Sequence, residues 1–383
     1  MACGSTTAAP APESPPTTAT TGAAWTPARR HRWRRSAPTS NGSGSISTTP
    51  TTGKGRPRHG LACAASATNW SPTRPRTGSR SAGPTATGTT RPSVTDVAPG
   101  DRVVLVFVAG CGLWARCTAG RPALCPRAAA ANTAGTLLSG GRRLSLGGTP
   151  VHHHLGVSGF ARHAVVDRRS AVVVPADVPA PIAALFGCAV LTGMGAVVNT
   201  AGIRPGESAA VIGLGGVGLA AVLGAVVSGA HPVVAIDSLP AKRDLALRLG
   251  ATAAFAPGEP GPLSDVLPDG ADAVFEAAGR AQALEAAWSL TAPGGRTVPV
   301  GLPDPAERLS LPVTELVGQG RALLGSYLGD SVPQRDIPRY LARWRAGRLP
   351  VDLLLTGTRP LTAINDALDD LAGSGVVRQV LLP

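Results

Sequence analysis

An α/β protein built on a doubly wound parallel sheet is what the sequence predicts, on three observations. The apolar run 208–212 leads into Gly213-Leu214-Gly215-Gly216-Val217-Gly218, and a second apolar run without proline, 219–227, follows. That order reads as strand, tight turn and helix. A further apolar run, 233–236, closes on Asp237, 19 residues beyond Gly218. From residue 97 onward turns alternate with short apolar runs, as they do in a packed α/β chain.

The glycine turn has a chemical reading. Glycines at this spacing let the chain turn sharply, let a pyrophosphate approach the backbone and let the helix pack closely on the strand, while N–H groups at the helix start face the phosphates. Asp237 then stands where a dinucleotide fold holds the adenosine ribose hydroxyls. Its charge repels a 2′-phosphate, so NAD is expected rather than NADP. A glycine-rich turn beside an ordinary surface aspartate is the plainer reading, and the order strand, turn, helix, strand, acid argues against it.

Composition divides the chain in two. The formal net charge is +13, but residues 1–94 hold 12 Lys and Arg against the single acid Glu13, leaving 24 basic against 22 acidic residues elsewhere. Before Val94 there is no Val, Phe or Tyr, and Ile46 and Leu61 are the only large aliphatics apart from Met1. Such a segment cannot bury enough apolar surface to offset its ordering entropy, and disorder is expected. Its basic run, Arg29 to Arg35, is diffuse and accompanies no nucleic-acid reading module, so no nucleic-acid partner is expected. At 383 residues the chain has room for two or three domains. Residues 208–236 lack Lys, Arg, Asp and Glu, yet glycines break the stretch into strand, turn and helix, so no membrane span is expected. There is no apolar signal-peptide core at the N-terminus, and a cytoplasmic protein is expected.

Six irregularly spaced cysteines argue for metal binding or plain burial over a disulfide scaffold. Cys111, Cys117 and Cys125 lie in a turn-rich lobe able to wrap a tetrahedral zinc with thiolates. The alternative is three reduced, buried thiols without metal. With this lobe, the glycine turn and the C-terminal stretch in view, the chain from about residue 94 to its end resembles the zinc-dependent alcohol dehydrogenases of the medium-chain dehydrogenase family. The family lobe reads Cys-x2-Cys-x2-Cys-x7-Cys, which places Trp114 at the second ligand position. Only three of four structural-zinc ligands are then present.

The resemblance implies an NAD-binding Rossmann domain over 190–327 and a β-rich GroES-like catalytic domain assembled from 95–189 and 328–383. It implies hydride transfer between NAD and an alcohol or aldehyde, or a hydroxymethyl-thiol adduct, in a homo-oligomer, a dimer or tetramer. Segments 135–145 and 151–160 look like the long loop of the liver-type and glutathione-dependent formaldehyde dehydrogenase branch, with His154 and Leu155 bordering the substrate pocket. The consecutive His152, His153 and His154 point different ways and are not expected to share a metal. Cys188 matches the third protein ligand of the catalytic zinc, and Thr192 the residue that packs on nicotinamide. Gly213, Gly215, Gly216, Val217 and Gly218 match the pyrophosphate turn, and Asp237 and Lys242 the ribose contacts. Arg243 is expected as a solvated helix residue. Backbone groups of Val300 and Leu302 would meet the nicotinamide amide, and Arg378 the pyrophosphate.

One part of the family pattern is missing. A catalytic zinc needs three protein ligands and an open position, and the family takes the other two from a cysteine and a Gly-His-Glu motif upstream of Cys111. No Gly-His-Glu occurs in the sequence, and Cys63 lacks the expected neighbours. Residues 1–94 are about as long as the part they replace and have the composition of a GC-rich gene read out of frame. An Arg- and Ser-rich transit segment is the competing origin. A noncatalytic NAD-binding remnant of the family is the competing function.

Overall fold

The computed structural model describes residues 67–69, backbone only, and 94–383 apart from Ser374. The basic run and Cys63 fall outside the described residues, as does the disorder expected over 1–94 except at Val94 and at 67–69, which form a strand instead. Strand β1 (Ala67–Asn69) pairs with β2 (Arg102–Leu105). After β2 come the short helix α1 (Ala115–Thr118), α2 (Pro126–Ala134) and the hairpin of β3 (Leu144–Leu146) and β4 (Thr149–Val151). Strand β5 (Ala171–Val174) then returns antiparallel to β2, giving the order β1-β2-β5. Alternation along β2 buries both faces: Val104 joins the main core, while Val103 and Leu105 pack with Val97, Val157 and Ala171.

Helices α3 (Ala180–Leu185) and α4 (Ala189–Gly195) and a π-helical turn, Ala196–Ala201, lead to the central sheet. Its strands are β6 (Ala209–Ile212), β7 (Val233–Ile236), β8 (Ala253–Phe255), β9 (Ala271–Glu276), β10 (Thr291–Pro299) and β11 (Ala322–Leu323). All are parallel, in the order β11-β10-β9-β6-β7-β8. This is the doubly wound order, with its reversal at β6. The connecting helices are α5 (Gly216–Val227), α6 (Pro240–Arg248), α7 (Pro260–Val266), α8 (Ala281–Leu290) and α9 (Val313–Gly318).

Both faces of the sheet are covered, which is why its strands read as unbroken apolar runs. Ala209, Val211, Val233, Ala235 and Phe275 face one core, and Ala210, Ile212, Val234, Ile236 and Val274 the other. Helix α5 has no polar side chain and is buried from Leu219 to Ala225, between the sheet and α4. Its 12 residues are too few to span a bilayer, and no helix among the described residues is long and apolar enough to do so.

Helix α10 (Pro333–Arg345), strand β12 (Leu355–Pro360), helix α11 (Ile364–Ala372) and strand β13 (Arg378–Leu382) complete the chain. Strands β12 and β13 pair in parallel. Helix α3 packs on β1 and β2 and also on β12 and β13, so the C-terminal strands return beside the segment that precedes the central sheet.

Candidate dinucleotide site and cysteine lobe

The glycine turn lies at the C-terminal end of β6, where open α/β sheets place their ligands. Gly213 has φ +90°, and a Cβ on it would lie 2.6 Å from the Ala278 amide nitrogen. Only glycine meets both conditions. A Cβ on Gly218 would lie 1.8 Å from the Gly213 carbonyl oxygen, so any side chain there displaces backbone. A Cβ on Gly216 would lie 2.0 Å from Nε of Arg378. The first residue of β13 thus lies directly against the first turn of α5. Arg378 Nε is buried and has no hydrogen-bond partner. A buried, unpartnered cationic donor against a glycine-rich helix start is the arrangement a pyrophosphate satisfies.

Asp237 is fixed by the turn it serves. Its Oδ2 accepts from Leu214 N at 2.7 Å and its Oδ1 from Leu239 N at 2.9 Å. A carboxylate has about four acceptor positions, so two remain for ribose hydroxyls. Asp237 lines a cavity of about 660 Å³ together with Gly213, Ser238, Glu259 and Arg280. Arg243 departs from the solvated helix residue expected of it: its Nη1 donates to the carbonyls of Asp237 (2.8 Å) and Ser238 (3.1 Å), clamping the loop before α6. Lys242 is half-buried in the first turn of α6.

Cys188 is buried at the start of α4, and Thr192 N donates to its carbonyl at 2.8 Å. Thr192, four residues on, is buried on the same helix. A Cβ on Gly193 would lie 2.3 Å from the Val217 carbonyl, so α4 rests on the first turn of α5. Cys188, Arg378 and Gln379 line a cavity of about 40 Å³, room for a water, and Gln379 Oε1 is also buried without a partner. Cys188, Val217, Gly216 and Arg378 therefore form one continuous patch.

Val300 donates its N–H to the Glu276 carbonyl at 2.8 Å. Leu302 is exposed. Glu276 is a positioning residue that the sequence did not single out. It ends β9 with its side chain buried, and its Oε1 accepts from Gly279 N at 2.6 Å. Burial pushes its carboxyl above the usual range. The one signal was an acid following the apolar residues 273–275.

In the lobe, the sulfurs of Cys111, Cys117 and Cys125 lie within 4.8 Å of one another, and none of the four described cysteines is in a disulfide. Cys111 and Cys117 Sγ are 3.9 Å apart. Two thiolates on a tetrahedral zinc at ~2.3 Å lie about 3.8 Å apart, so the pair fits one ion. Backbone N–H groups of Leu113 and Trp114 bring the Cys111 thiol down to about 7, while burial pushes Cys117 up. This is the one cluster of three or more His, Cys, Asp or Glu ligand atoms among the described residues, and Cys188 is outside it. The described residues thus fit a zinc in the lobe and do not by themselves fit a catalytic zinc. His152 packs beside Gly135, His153 is buried with Nε2 accepting from Arg143 N at 3.0 Å, and His154 is exposed. The three histidines thus stand in three different environments.

Residues 216–345 match the zinc-binding dehydrogenase family model. The chain is 38% identical to a geraniol dehydrogenase of Castellaniella defragrans over 290 residues, 74% of this chain and 77% of that protein. It is 35% identical to an S-(hydroxymethyl)glutathione dehydrogenase of Escherichia coli over 294 residues, 75% of this chain and 79% of that one. Among solved structures, an alcohol dehydrogenase zinc-binding domain protein from Burkholderia ambifaria superposes with a TM-score of 0.72 at 33% identity, covering 76% of this chain and 80% of the other.

Proposed function

The chain belongs to the zinc-binding dehydrogenase family, a family of oxidoreductases, and from that premise we propose that it is an NAD-dependent alcohol dehydrogenase of the zinc type. Hydride passes between NAD and an alcohol or aldehyde, or a hydroxymethyl-thiol adduct. The observation that carries this reading is Arg378, which lies against Gly216 with a buried and unpartnered Nε. Gly213 to Gly218 and Arg378 hold the pyrophosphate, and the two remaining acceptor positions of Asp237 take the adenosine ribose with Lys242 beside it. A 2′-phosphate there would meet the Asp237 charge, which favours NAD over NADP. Thr192 and the Val300 and Leu302 backbone flank the nicotinamide. In this reading residues 190–327 form the nucleotide domain, and 95–189 with 328–383 the catalytic one. Cys111, Cys117 and Cys125 hold a structural zinc.

Zinc in a catalytic site acts as a Lewis acid toward an alcohol oxygen, lowering its pKa. Cys188 is the described residue assigned to that site, and the family's other two ligands belong to sequence upstream of residue 94. That shortfall favours a second reading, NAD binding without hydride transfer. Turnover by the purified full chain separates the two: alcohol-driven reduction of NAD at an ordinary enzymatic rate supports the dehydrogenase, and saturable NAD binding with negligible turnover supports the remnant.

A further inference from the structure

Among the described residues the lobe brings together three sulfurs. No other His, Cys, Asp or Glu joins Cys111, Cys117 and Cys125 among the described residues. Trp114, at the position where the family pattern has a cysteine, carries an indole N–H that donates only, and the residue packs on the main core. The rim is open: Gly112, Leu113, Ala115 and Arg116 are exposed and Cys117 is half-buried. The cluster therefore lies close to the surface, with Cys117 its outermost member.

We propose that a zinc held by Cys111, Cys117 and Cys125 keeps an open fourth position, filled by a water that exchanges for a small thiol. The inference rests on the reading of the lobe as a zinc site and is independent of hydride transfer. Three protein ligands with a solvent-derived fourth is the arrangement by which zinc keeps an exchangeable position, whereas closed structural sites have four protein ligands. Soft donors suit an ion already bound by thiolates. Arg169, ion-paired with Asp167 at 2.8 Å, donates its Nη1 to the Cys111 carbonyl at 3.1 Å and so pins the loop that carries the first sulfur. The exchange is redox-neutral: the thiol loses its proton to solvent, its sulfur bonds the metal, and the water leaves.

The test uses the full chain with cobalt(II) in place of zinc, so that thiolate-to-cobalt absorption counts the sulfurs. Titrating 2-mercaptoethanol into the wild-type protein raises that absorption by roughly a third, from three thiolates to four. Trp114→Cys has the higher absorption from the start and does not respond, and Cys117→Ser loses most of the absorption. Failure of the reduced wild-type chain to bind cobalt, or an undiminished signal in Cys117→Ser, overturns the zinc reading and the inference with it. Bound cobalt whose absorption 2-mercaptoethanol does not move overturns the open position alone, and that wild-type titration decides the matter even if Trp114→Cys fails to fold.

Discussion

Taken alone Arg378 reads in the sequence as an exposed strand charge; the family resemblance is what assigns it to the pyrophosphate, and the fold sets it against Gly216, 162 residues earlier. A charge-assisted hydrogen bond contributes about 1.5–3 kcal/mol, so Arg378→Ala should weaken NAD binding by roughly 10- to 100-fold with little change in thermal stability. Calorimetric titration checks this, and an unchanged dissociation constant would remove Arg378 from the site. Asp237 was legible because its position after a strand is fixed by the turn before it. Asp237→Ala should narrow the preference for NAD over NADP by removing both the ribose acceptor and the charge clash, as parallel titrations of the two cofactors would show. Glu276 and Arg243 were less legible. Their roles depend on backbone groups of loops brought alongside by folding, and no spacing in the sequence encodes those contacts.

At the level of the element, the helices and parallel strands after residue 207 follow from apolar runs that alternate between two buried faces, and that pattern is visible in any single strand. The tightness of the β6–α5 turn goes beyond the pattern. With the Gly213 oxygen 1.8 Å from a Cβ at position 218, Gly218→Ala should cost on the order of 1–3 kcal/mol and lower both the melting temperature and NAD affinity. A melting temperature equal to the wild type would contradict this geometry. The β3–β4 hairpin rests on a titratable contact. His153 Nε2 accepts from Arg143 N, and burial, with Arg143 nearby, lowers the His153 pKa from its ordinary value of 6.5. A depressed histidine contributes stability that is present above the unfolded pKa and lost as pH falls through the folded one. Protection of the Arg143 amide against hydrogen exchange, corrected for intrinsic rate, should therefore decline as pH drops below about 6.5, and His153→Phe should abolish that dependence. Protection that holds steady across this range in the wild type would rule out the contact as a pH-sensitive tie.

Across the whole molecule, the family and its α/β architecture are established by likeness over about three quarters of the chain. The glycine turn, Asp237, Arg378 and Cys188 lie in that architecture at one end of the central sheet. The substrate was not legible, because the family takes part of its pocket and two catalytic zinc ligands from sequence that residues 1–94 do not match. Replacing that segment with an in-frame N-terminal part carrying a cysteine and a Gly-His-Glu motif should raise bound catalytic zinc and alcohol turnover above those of the present chain. Metal analysis and an alcohol-driven assay on both proteins compare them directly. The most direct measurement is a paired titration of the purified full chain with NAD and NADP. Saturable binding that is tighter for NAD is the result expected of a pyrophosphate held by the glycine turn and Arg378 and a ribose held by Asp237, whereas no saturable binding, or NADP bound as tightly as NAD, would contradict it.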